Sequence, residues 1–241
     1  MRNAARLESR AAAHNPPLSM KRVFYLLLAL STGGAFAQTG DPVRGLSGRV
    51  EGRTYISPTG YFRIAIPVLP ELGGSITDTE NVVTFQDSFN VHVSIGVFPQ
   101  DATQRWELST RGLKDYFAYF FDTYVMPDFQ NAFPGGKVES VGFSETVMGG
   151  SLIAYTLLPG GSMFAAKSSI LGGDETPPVA KRGNLIFVRN NVIYVITTEL
   201  AERVTERSAY RKTKAEEDEI LRDRLVELAR RIEFTRPATP R

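Results

Sequence analysis

The chain has no cysteine and only two histidines among its 241 residues. The absence of cysteine excludes a disulfide framework, a thiolate zinc site, an iron–sulfur cluster and a cysteine nucleophile. An excess of charge of one sign is also missing, because 28 Lys and Arg residues stand against 26 Asp and Glu residues. With 42% hydrophobic and 22% charged residues, the composition is typical of one or at most two globular domains.

A long membrane-spanning run is absent as well, although a short apolar run lies near the amino terminus. Residues 20–38 have the three-part layout of a secretory signal peptide, with Lys21 and Arg22 in front of eight apolar residues. Small residues then lead to a predicted cleavage site between Ala37 and Gln38. A bilayer-spanning helix needs about 20 apolar residues, so we expect no stable membrane span after cleavage. An uncleaved anchor is the alternative; the signal peptide predicts a periplasmic or secreted protein.

The remaining terminal segments set the predicted domain boundaries. The signal peptide begins at an internal Met20, behind a basic, Ala-rich stretch that does not fit the signal pattern, so translation starts at either Met1 or Met20. Glycines and a proline after the cleavage site predict a flexible segment, and two prolines at the carboxyl terminus exclude further helix. The predicted organisation is an N-terminal extension with signal peptide at 1–37, a flexible lead-in at 38–51, a single α+β domain at 52–234 and a disordered tail at 235–241.

Alternating apolar and polar residues predict a sheet of several strands in this domain. Asn190 and Asn191 separate two apolar runs and suit a two-residue hairpin turn, because asparagine tolerates the positive φ that such a turn needs. The run from Ile193 to Ile196 is apolar on both faces, which predicts a place at the centre of the sheet. The predicted strands cover 62–66, 82–86, 91–97, 137–147, 152–158, 185–188 and 192–198, with a further candidate at 163–171 and a surface loop at 172–178.

Two long amphipathic helices are predicted, over 103–125 and 214–232. In each of them the helical period gathers apolar side chains into one stripe that is expected to face the sheet. An antiparallel β-sheet flanked by two long helices is an α+β fold. The stripe of the first helix comprises Trp106, Leu113, Tyr116, Phe117, Phe120 and Tyr124, and that of the second comprises Leu221, Leu225, Leu228 and Ile232.

The order of these elements resembles that of a known family. Residues 55–67 read Tyr-Ile-Ser-Pro-Thr-Gly-Tyr-Phe-Arg-Ile-Ala-Ile-Pro, which resembles the start of PsbP-like and DcrB-like domains, where a turn and an aromatic residue precede a strand that ends at proline. The later strands, the mid-chain helix and the closing helix near Ile232 are similar too. The resemblance implies an α/β/α sandwich with a scaffold or binding role, and it brings no catalytic residues with it.

Catalytic and metal-binding motifs are missing from the sequence. His92 is the single histidine outside residues 1–37, so a hydrolase would need it as the general base. Ser94 shares its predicted strand face, but side chains two residues apart on a strand stand side by side, which is a poor geometry for proton transfer. No nucleophile elbow and no phosphate-binding loop occurs. We predict no catalytic residue, no metal ligand and no cofactor, with a hydrolase that uses His92 as the less favoured alternative.

The remaining signals favour binding. Acidic and basic residues are interleaved over 199–233, which indicates a solvated helix face and argues against a nucleic-acid partner. Tyr119 lies outside the aromatic stripe of its helix and is a candidate for contact with a partner. We therefore expect an exported, non-catalytic accessory or binding domain of the bacterial cell envelope, whose partner is another envelope protein or a small ligand. The alternative is a small-ligand carrier with a pocket between the sheet and its helices.

Overall fold

The structure is a computed structural model that describes residues 45–165, 178–206 and 209–235. The predicted signal peptide, with its cleavage site between Ala37 and Gln38, lies outside the described residues. So do residues 166–177, which hold most of the candidate strand at 163–171 and of the predicted loop, and residues 236–241 of the predicted tail. Where that candidate strand is described, Met163 and Phe164 form a turn, because the chain there bends to bring its backbone to Glu199.

The larger sheet has seven strands, and every pairing in it is antiparallel. Its strands are β4 Ser75–Asp78, β5 Val82–Gln86, β6 His92–Pro99, β7 Lys137–Thr146, β8 Gly149–Pro159, β9 Val179–Arg189 and β10 Val192–Glu199. From one edge of the sheet to the other they lie in the order β4-β5-β6-β10-β9-β8-β7, so the run predicted for the sheet centre does lie in the middle strand.

The predicted two-residue hairpin joins β9 to β10. Asn190 and Asn191 adopt φ of 54° and 61°, the left-handed values of a turn whose twist matches that of its flanking strands. The turn places Arg189 opposite Val192 and so sets the register of the whole strand pair. The hairpin is therefore confirmed together with its turn residues.

A second, four-stranded sheet changes one predicted boundary. It consists of β1 Arg49–Glu51, β2 Thr54–Ile56, β3 Phe62–Ala65 and β11 Ile232–Phe234, in the order β1-β2-β3-β11. The lead-in predicted at 38–51 thus ends in a strand. The reason is a partly buried anchor: the Asp78 carboxylate accepts hydrogen bonds from the backbone N–H groups of Ser47 and Gly48 at 2.8 and 2.7 Å and from the Tyr55 hydroxyl at 2.6 Å.

The long helix predicted over 103–125 is wrong as a single element. The chain forms α1 (Ala102–Arg111), α2 (Leu113–Phe120), a π-helical turn (Phe121–Val125) and α3 (Met126–Ala132) in succession. Gly112 separates α1 from α2 because its φ of 79° and ψ of 162° lie outside helical geometry. This break turns α1 away from the sheet, so Trp106, predicted in the buried stripe, has 64% of its surface exposed.

The closing helix agrees closely with its prediction. A one-turn helix, α4 (Glu202–Thr205), precedes it, and the long helix α5 spans Lys214–Arg231. Thr213 starts α5 with a capping box, since its side chain and that of Glu216 each bind the other's backbone N–H. Leu221, Leu225 and Leu228 are buried as predicted, whereas Ile232 is buried as the first residue of β11 and not as the last helical residue.

The central strand β10 shows how the sheet is packed on both faces. Tyr194 and Ile196 belong to one apolar cluster with the leucines of α5 and the small sheet. Ile193 and Val195, which point to the other face, belong to a second cluster with the aromatic residues of α2 and α3. The described residues therefore form an α+β fold with antiparallel sheets and apolar cores on both faces of the larger sheet.

Candidate functional site

His92 lies in a row of three charged or ionisable side chains that crosses the sheet. Because β10 pairs with both β6 and β9, Glu199 stands opposite Arg182 and next to His92. His92 Nδ1 is 4.0 Å and Arg182 Nη2 is 3.6 Å from Glu199 Oε2. All three side chains are at least 96% buried, so the row is part of the interior.

The row is held mainly by the segment that follows β8. Ser162 Oγ donates to Glu199 Oε1 at 2.6 Å, and the Met163 N–H donates to Glu199 Oε2 at 3.1 Å. Arg182 Nη2 donates to the Gly161 carbonyl at 2.7 Å. The Glu199 carboxylate is therefore compensated by hydrogen bonds and by a buried guanidinium, as buried charges must be.

The electrostatics of the row keep His92 neutral. Burial, and then the charge of Arg182, hold the pKa of His92 well below its ordinary value of 6.5. Among the described residues, neither His92 Nδ1 nor Arg182 Nε has a hydrogen-bond partner. Ser94, the conceivable nucleophile, shares a hydrogen bond of 2.9 Å with Thr84 Oγ1. Within the described residues no hydrogen bond joins the side chains of His92 and Ser94, and the row fits an internal structural role.

Tyr119 lies at the surface of the helical layer, half-buried between two neighbours. Its ring meets the Tyr124 ring edge-on at 6.2 Å, and the Arg111 guanidinium lies 4.4 Å from its ring centroid. Burial and a hydrogen bond with Tyr119 raise the pKa of Tyr124. Tyr119 is therefore packed on two sides and partly buried, and its role as a partner contact stays a prediction.

A cleft of about 240 Å³ opens between α5 and the start of β6. Its walls are apolar on the sheet side, from Val91, Val93 and Pro67, and on the helix side from Leu228. Val93 and Leu228 are buried, which makes them the floor of the cleft. It lies on the α5 face of the sheet, whereas the row containing His92 lies on the opposite face.

Charged groups from one stripe of α5 line the cleft beside Leu228. Arg224, Glu227 and Arg231 follow the spacing i, i+3 and i+7, which places side chains on the same face of a helix. Arg224 makes two hydrogen bonds to the Glu202 carboxylate, one of 3.1 Å from Nη1. Arg231 Nε donates to Glu227 Oε1 at 3.1 Å. The cleft thus combines an apolar floor with guanidinium groups.

Neither a metal site nor a membrane-spanning helix is a further candidate within the part of the chain that the structure describes. No group of three or more His, Asp or Glu side chains is arranged there to hold a metal ion. None of the helices in residues 45–165, 178–206 and 209–235 combines the length and the apolar character that crossing a bilayer requires.

Comparison with known proteins assigns neither a family nor a function to the chain. No protein-family model matches the chain, and no curated protein matches it. Among solved structures, it is similar to a Bacteroides thetaiotaomicron VPI-5482 protein, with 11% identity and a TM-score of 0.37 over 78% of this chain and 50% of that one. It is also similar to cyanobacterial PsbP (CyanoP) from Synechocystis sp. PCC 6803, with 11% identity and a TM-score of 0.44 over 84% and 98% of the two chains. The chain spans half of the Bacteroides protein, and at these scores we build nothing on either likeness.

The sequence singled out His92 and Tyr119 and offered a pocket between the sheet and its helices as an alternative, but it did not identify the residues that line the cleft. Its signal was present in the last helix, where Arg224 and Arg231 flank Leu228 on a single face. The interleaved charges were interpreted only as a solvated surface. The missing information was the opposite wall, since Val93 of β6 and Pro67, which follows β3, lie more than 100 residues away in sequence.

Proposed function

We propose that the protein is an exported, non-catalytic binding domain of the bacterial cell envelope, built as a three-layer α/β/α sandwich of the PsbP-like kind. The apolar clusters on both faces of the larger sheet support that architecture. The binding function is carried by one observation, the cleft of about 240 Å³ between α5 and β6. Of the two kinds of partner expected from the sequence, the cleft favours the small ligand.

The size and lining of the cleft support a binding role. Ligand sites are concave and mostly apolar, with a few polar groups that fix the orientation of the ligand. An apolar cavity of about 150 Å³ admits a benzene molecule, so a cleft of about 240 Å³ has room for one ring or a short alkyl chain with a polar head. Most of its lining residues belong to α5, β6 and β10, so the larger part of its walls is preformed.

The position of His92 supports the non-catalytic part of the proposal. A general base must reach the proton that it removes within hydrogen-bond distance, and His92 is 3% exposed and faces Glu199 and Arg182. A hydrolase that uses His92 would lose its activity in His92→Ala. Under our proposal, ligand binding in the cleft of a folded His92→Ala protein stays within about twofold of wild type, because the residue lies on the other face of the sheet.

A fragment screen with methyl NMR tests the binding function. The methyl signals of Val93 and Leu228 report on the floor of the cleft, and we expect small amphipathic molecules to shift them while leaving those of Ile186 unchanged. Ile186 is the matched reference because it is buried in the cluster on the opposite face. A Val91→Trp variant, which fills the cleft from its rim, should abolish the shifts. Shifts that persist in this variant would disprove binding in the cleft.

The exported state has its own test. Replacing Ala37 by Leu puts a large side chain where signal peptidase requires a small one. We expect the wild-type protein in the periplasmic or secreted fraction, shortened to begin at Gln38, and the Ala37→Leu protein to accumulate at precursor length. A wild-type protein that stays in the cytoplasm at full length would contradict export.

A protein partner is the second candidate function, and the exposure of Trp106 favours it. Trp106 is the single tryptophan of the chain and is 64% exposed on α1, and exposed tryptophan is typical of interface hot spots. Crosslinking in cells should capture an envelope protein with the wild type and lose it with Trp106→Ala. Tyr119→Ala provides the comparison, because Tyr119 is the contact predicted from the sequence. Recovery of the same partner with both variants would rule out this surface.

A further inference from the structure

The side chains at the mouth of the cleft define the chemistry of its ligand. Three arginines, Arg224, Arg230 and Arg231, lie on this part of α5 against two glutamates, Glu202 and Glu227. One positive charge is therefore in excess around the mouth. The cleft does not present a matching excess of carboxylates that would attract a cation.

The ion pairs at the mouth are weak enough to exchange. The side chains of Arg231 and Glu227 are 54% and 50% exposed, and exposed ion pairs contribute little to stability. Arg230 is 3.8 Å from the same Glu227 carboxylate, so Glu227 is shared between two cations. An anionic ligand can therefore bind the Arg231 guanidinium without leaving Glu227 unpaired.

The floor of the cleft excludes a purely polar ion. Val93 is 3% and Leu228 is 8% exposed, so a fully hydrated anion would have to lose water against apolar walls without compensation. A ligand with an apolar body is instead stabilised there, because it removes that body from water. The Thr198 hydroxyl, which also lines the cleft, already donates to the His92 carbonyl at 3.2 Å, and its oxygen can accept one further hydrogen bond.

We propose that the cleft binds a monocarboxylate with an apolar body, such as an aryl or short alkyl carboxylate, with its carboxylate at Arg231 and Arg224 and its body on Val93 and Leu228. The inference rests on the proposed ligand-binding function and adds the class of the ligand. A carboxylate suits the guanidinium because the two planar groups form paired, charge-assisted hydrogen bonds. One carboxylate also matches the single excess positive charge around the mouth.

Three probes of equal chain length test the ligand class. Hexanoate, hexan-1-ol and hexylammonium are titrated into the purified protein at pH 7 while the methyl signals of Val93 and Leu228 are followed by NMR. We expect hexanoate to bind at least about fivefold more tightly than hexan-1-ol, since a charge-assisted hydrogen bond is worth more than a neutral one. Hexylammonium should be the weakest of the three.

Two variants of arginines in α5 provide the matched control. Arg231→Gln removes a guanidinium that lines the cleft, whereas Arg222→Gln removes an exposed one that neither lines the cleft nor pairs with Glu227. Arg231→Gln should weaken hexanoate binding at least about fivefold and leave hexan-1-ol unchanged. Arg222→Gln should change hexanoate binding less than about twofold.

The possible results separate the ligand class from the binding function. Equal affinity for hexanoate and hexan-1-ol, or equal effects of the two arginine variants, would overturn the carboxylate assignment and leave binding in the cleft standing. Methyl signals that none of the three probes shifts would overturn both proposals. Selective loss of hexanoate binding in Arg231→Gln would support both.

Discussion

Lys181 Nζ lies 3.0 Å from Glu217 Oε2 and joins the larger sheet to α5 in the protein interior. Two more carboxylates complete its surroundings, Glu139 of β7 at 2.6 Å and Asp218 of α5 at 2.5 Å. The lysine side chain has no exposed surface. Burial acts to lower the pKa of Lys181, but the hydrogen bonds that its ammonium donates to the three carboxylates outweigh burial and raise that pKa. The ammonium is therefore charged throughout the neutral range.

The network around Lys181 is balanced in charge. Arg203 Nη1 donates to both oxygens of Glu217 at 2.9 Å. Lys214 Nζ reaches the second oxygen of Asp218 at 2.5 Å. Three cations thus face three carboxylates, so that removing any member leaves a charge without its partner.

Lys181→Met tests how strongly this network holds α5 to the sheet. We expect the free energy of unfolding to fall by about 3–5 kcal/mol, because three carboxylates lose the buried cation between them. Urea denaturation at pH 7 measures the loss. Lys137→Met, at an exposed position of β7, is the matched control and should change stability by less than about 0.5 kcal/mol. A loss below about 1 kcal/mol for Lys181→Met would mean that the network relaxes when its centre is removed.

The sequence predicts the elements of this fold better than its polar interior. The hairpin at Asn190 and Asn191 was predictable because a two-residue turn is a local property. The contact between Lys181 and Glu217 was not, because its partners lie 36 residues apart and only the packing of α5 on the sheet brings them together. The same holds for the cleft, whose two walls come from distant parts of the chain.

The break between α1 and α2 shows a different limit. The helical period continues through residue 112, and a glycine inside such a pattern is compatible with a helix at a cost of about 1 kcal/mol. Only the observed φ of 79° and ψ of 162° at Gly112 distinguish a break from a tolerated glycine. The prediction that Trp106 is buried fails because of this single residue. The predicted stripe assumes one straight helix axis, whereas the chain changes direction at Gly112.

Gly112→Ala separates the two descriptions by the sign of its effect. In a continuous helix the substitution would stabilise the protein by about 1 kcal/mol. At the observed backbone angles we expect a loss of about 1–3 kcal/mol, because only glycine adopts that region without strain. A Cβ at position 112 meets no atom within 4 Å, so the loss would come from the backbone alone.

Gly142→Ala is the matched control for this measurement. Gly142 is exposed in β7, has no positive φ, and a Cβ there also meets nothing within 4 Å. Alanine should therefore be neutral or stabilising by up to about 1 kcal/mol, since it restricts the unfolded chain. Equal effects of the two substitutions in chemical denaturation would contradict the backbone explanation.

The partly buried carboxyl of Asp128 in α3 should make the protein more stable at low pH than at high pH. Burial raises the pKa of its carboxyl from 3.8 to about 7, and among the described residues its Oδ2 has no hydrogen-bond partner. The folded protein therefore keeps this proton up to about pH 7, whereas the unfolded chain releases it near pH 4. The free energy of unfolding therefore falls as the pH rises from about 4 to about 7, because the folded state binds more protons than the unfolded state in this interval.

Asp128→Asn removes this dependence. We expect the variant to be more stable than wild type by about 1 kcal/mol at pH 8, a figure reduced because the partly exposed carboxyl is screened by solvent, and to match wild type at pH 4. Thermal unfolding at both pH values measures the difference. Asp122→Asn, an exposed neighbour, controls for the loss of one negative charge in this region. A gain that is equal at the two pH values would show that the substitution acts by another route.

His92 should make the stability of the protein depend on pH in the opposite direction. Its folded-state pKa lies well below 6.5 because of burial and the neighbouring Arg182, so below pH 6.5 the unfolded chain binds a proton that the folded protein does not. Stability is therefore lost as the pH falls below 6.5, by up to about 1.4 kcal/mol per pH unit. His92→Gln keeps a polar side chain beside Glu199 and cannot titrate. We expect its free energy of unfolding, measured by urea denaturation from pH 7.5 to 5, to fall less steeply than that of wild type. Parallel curves for the two proteins would mean that folding leaves the pKa of His92 unchanged, and a wild-type curve that falls less steeply than that of the variant would mean that His92 is protonated in the folded state beside Glu199.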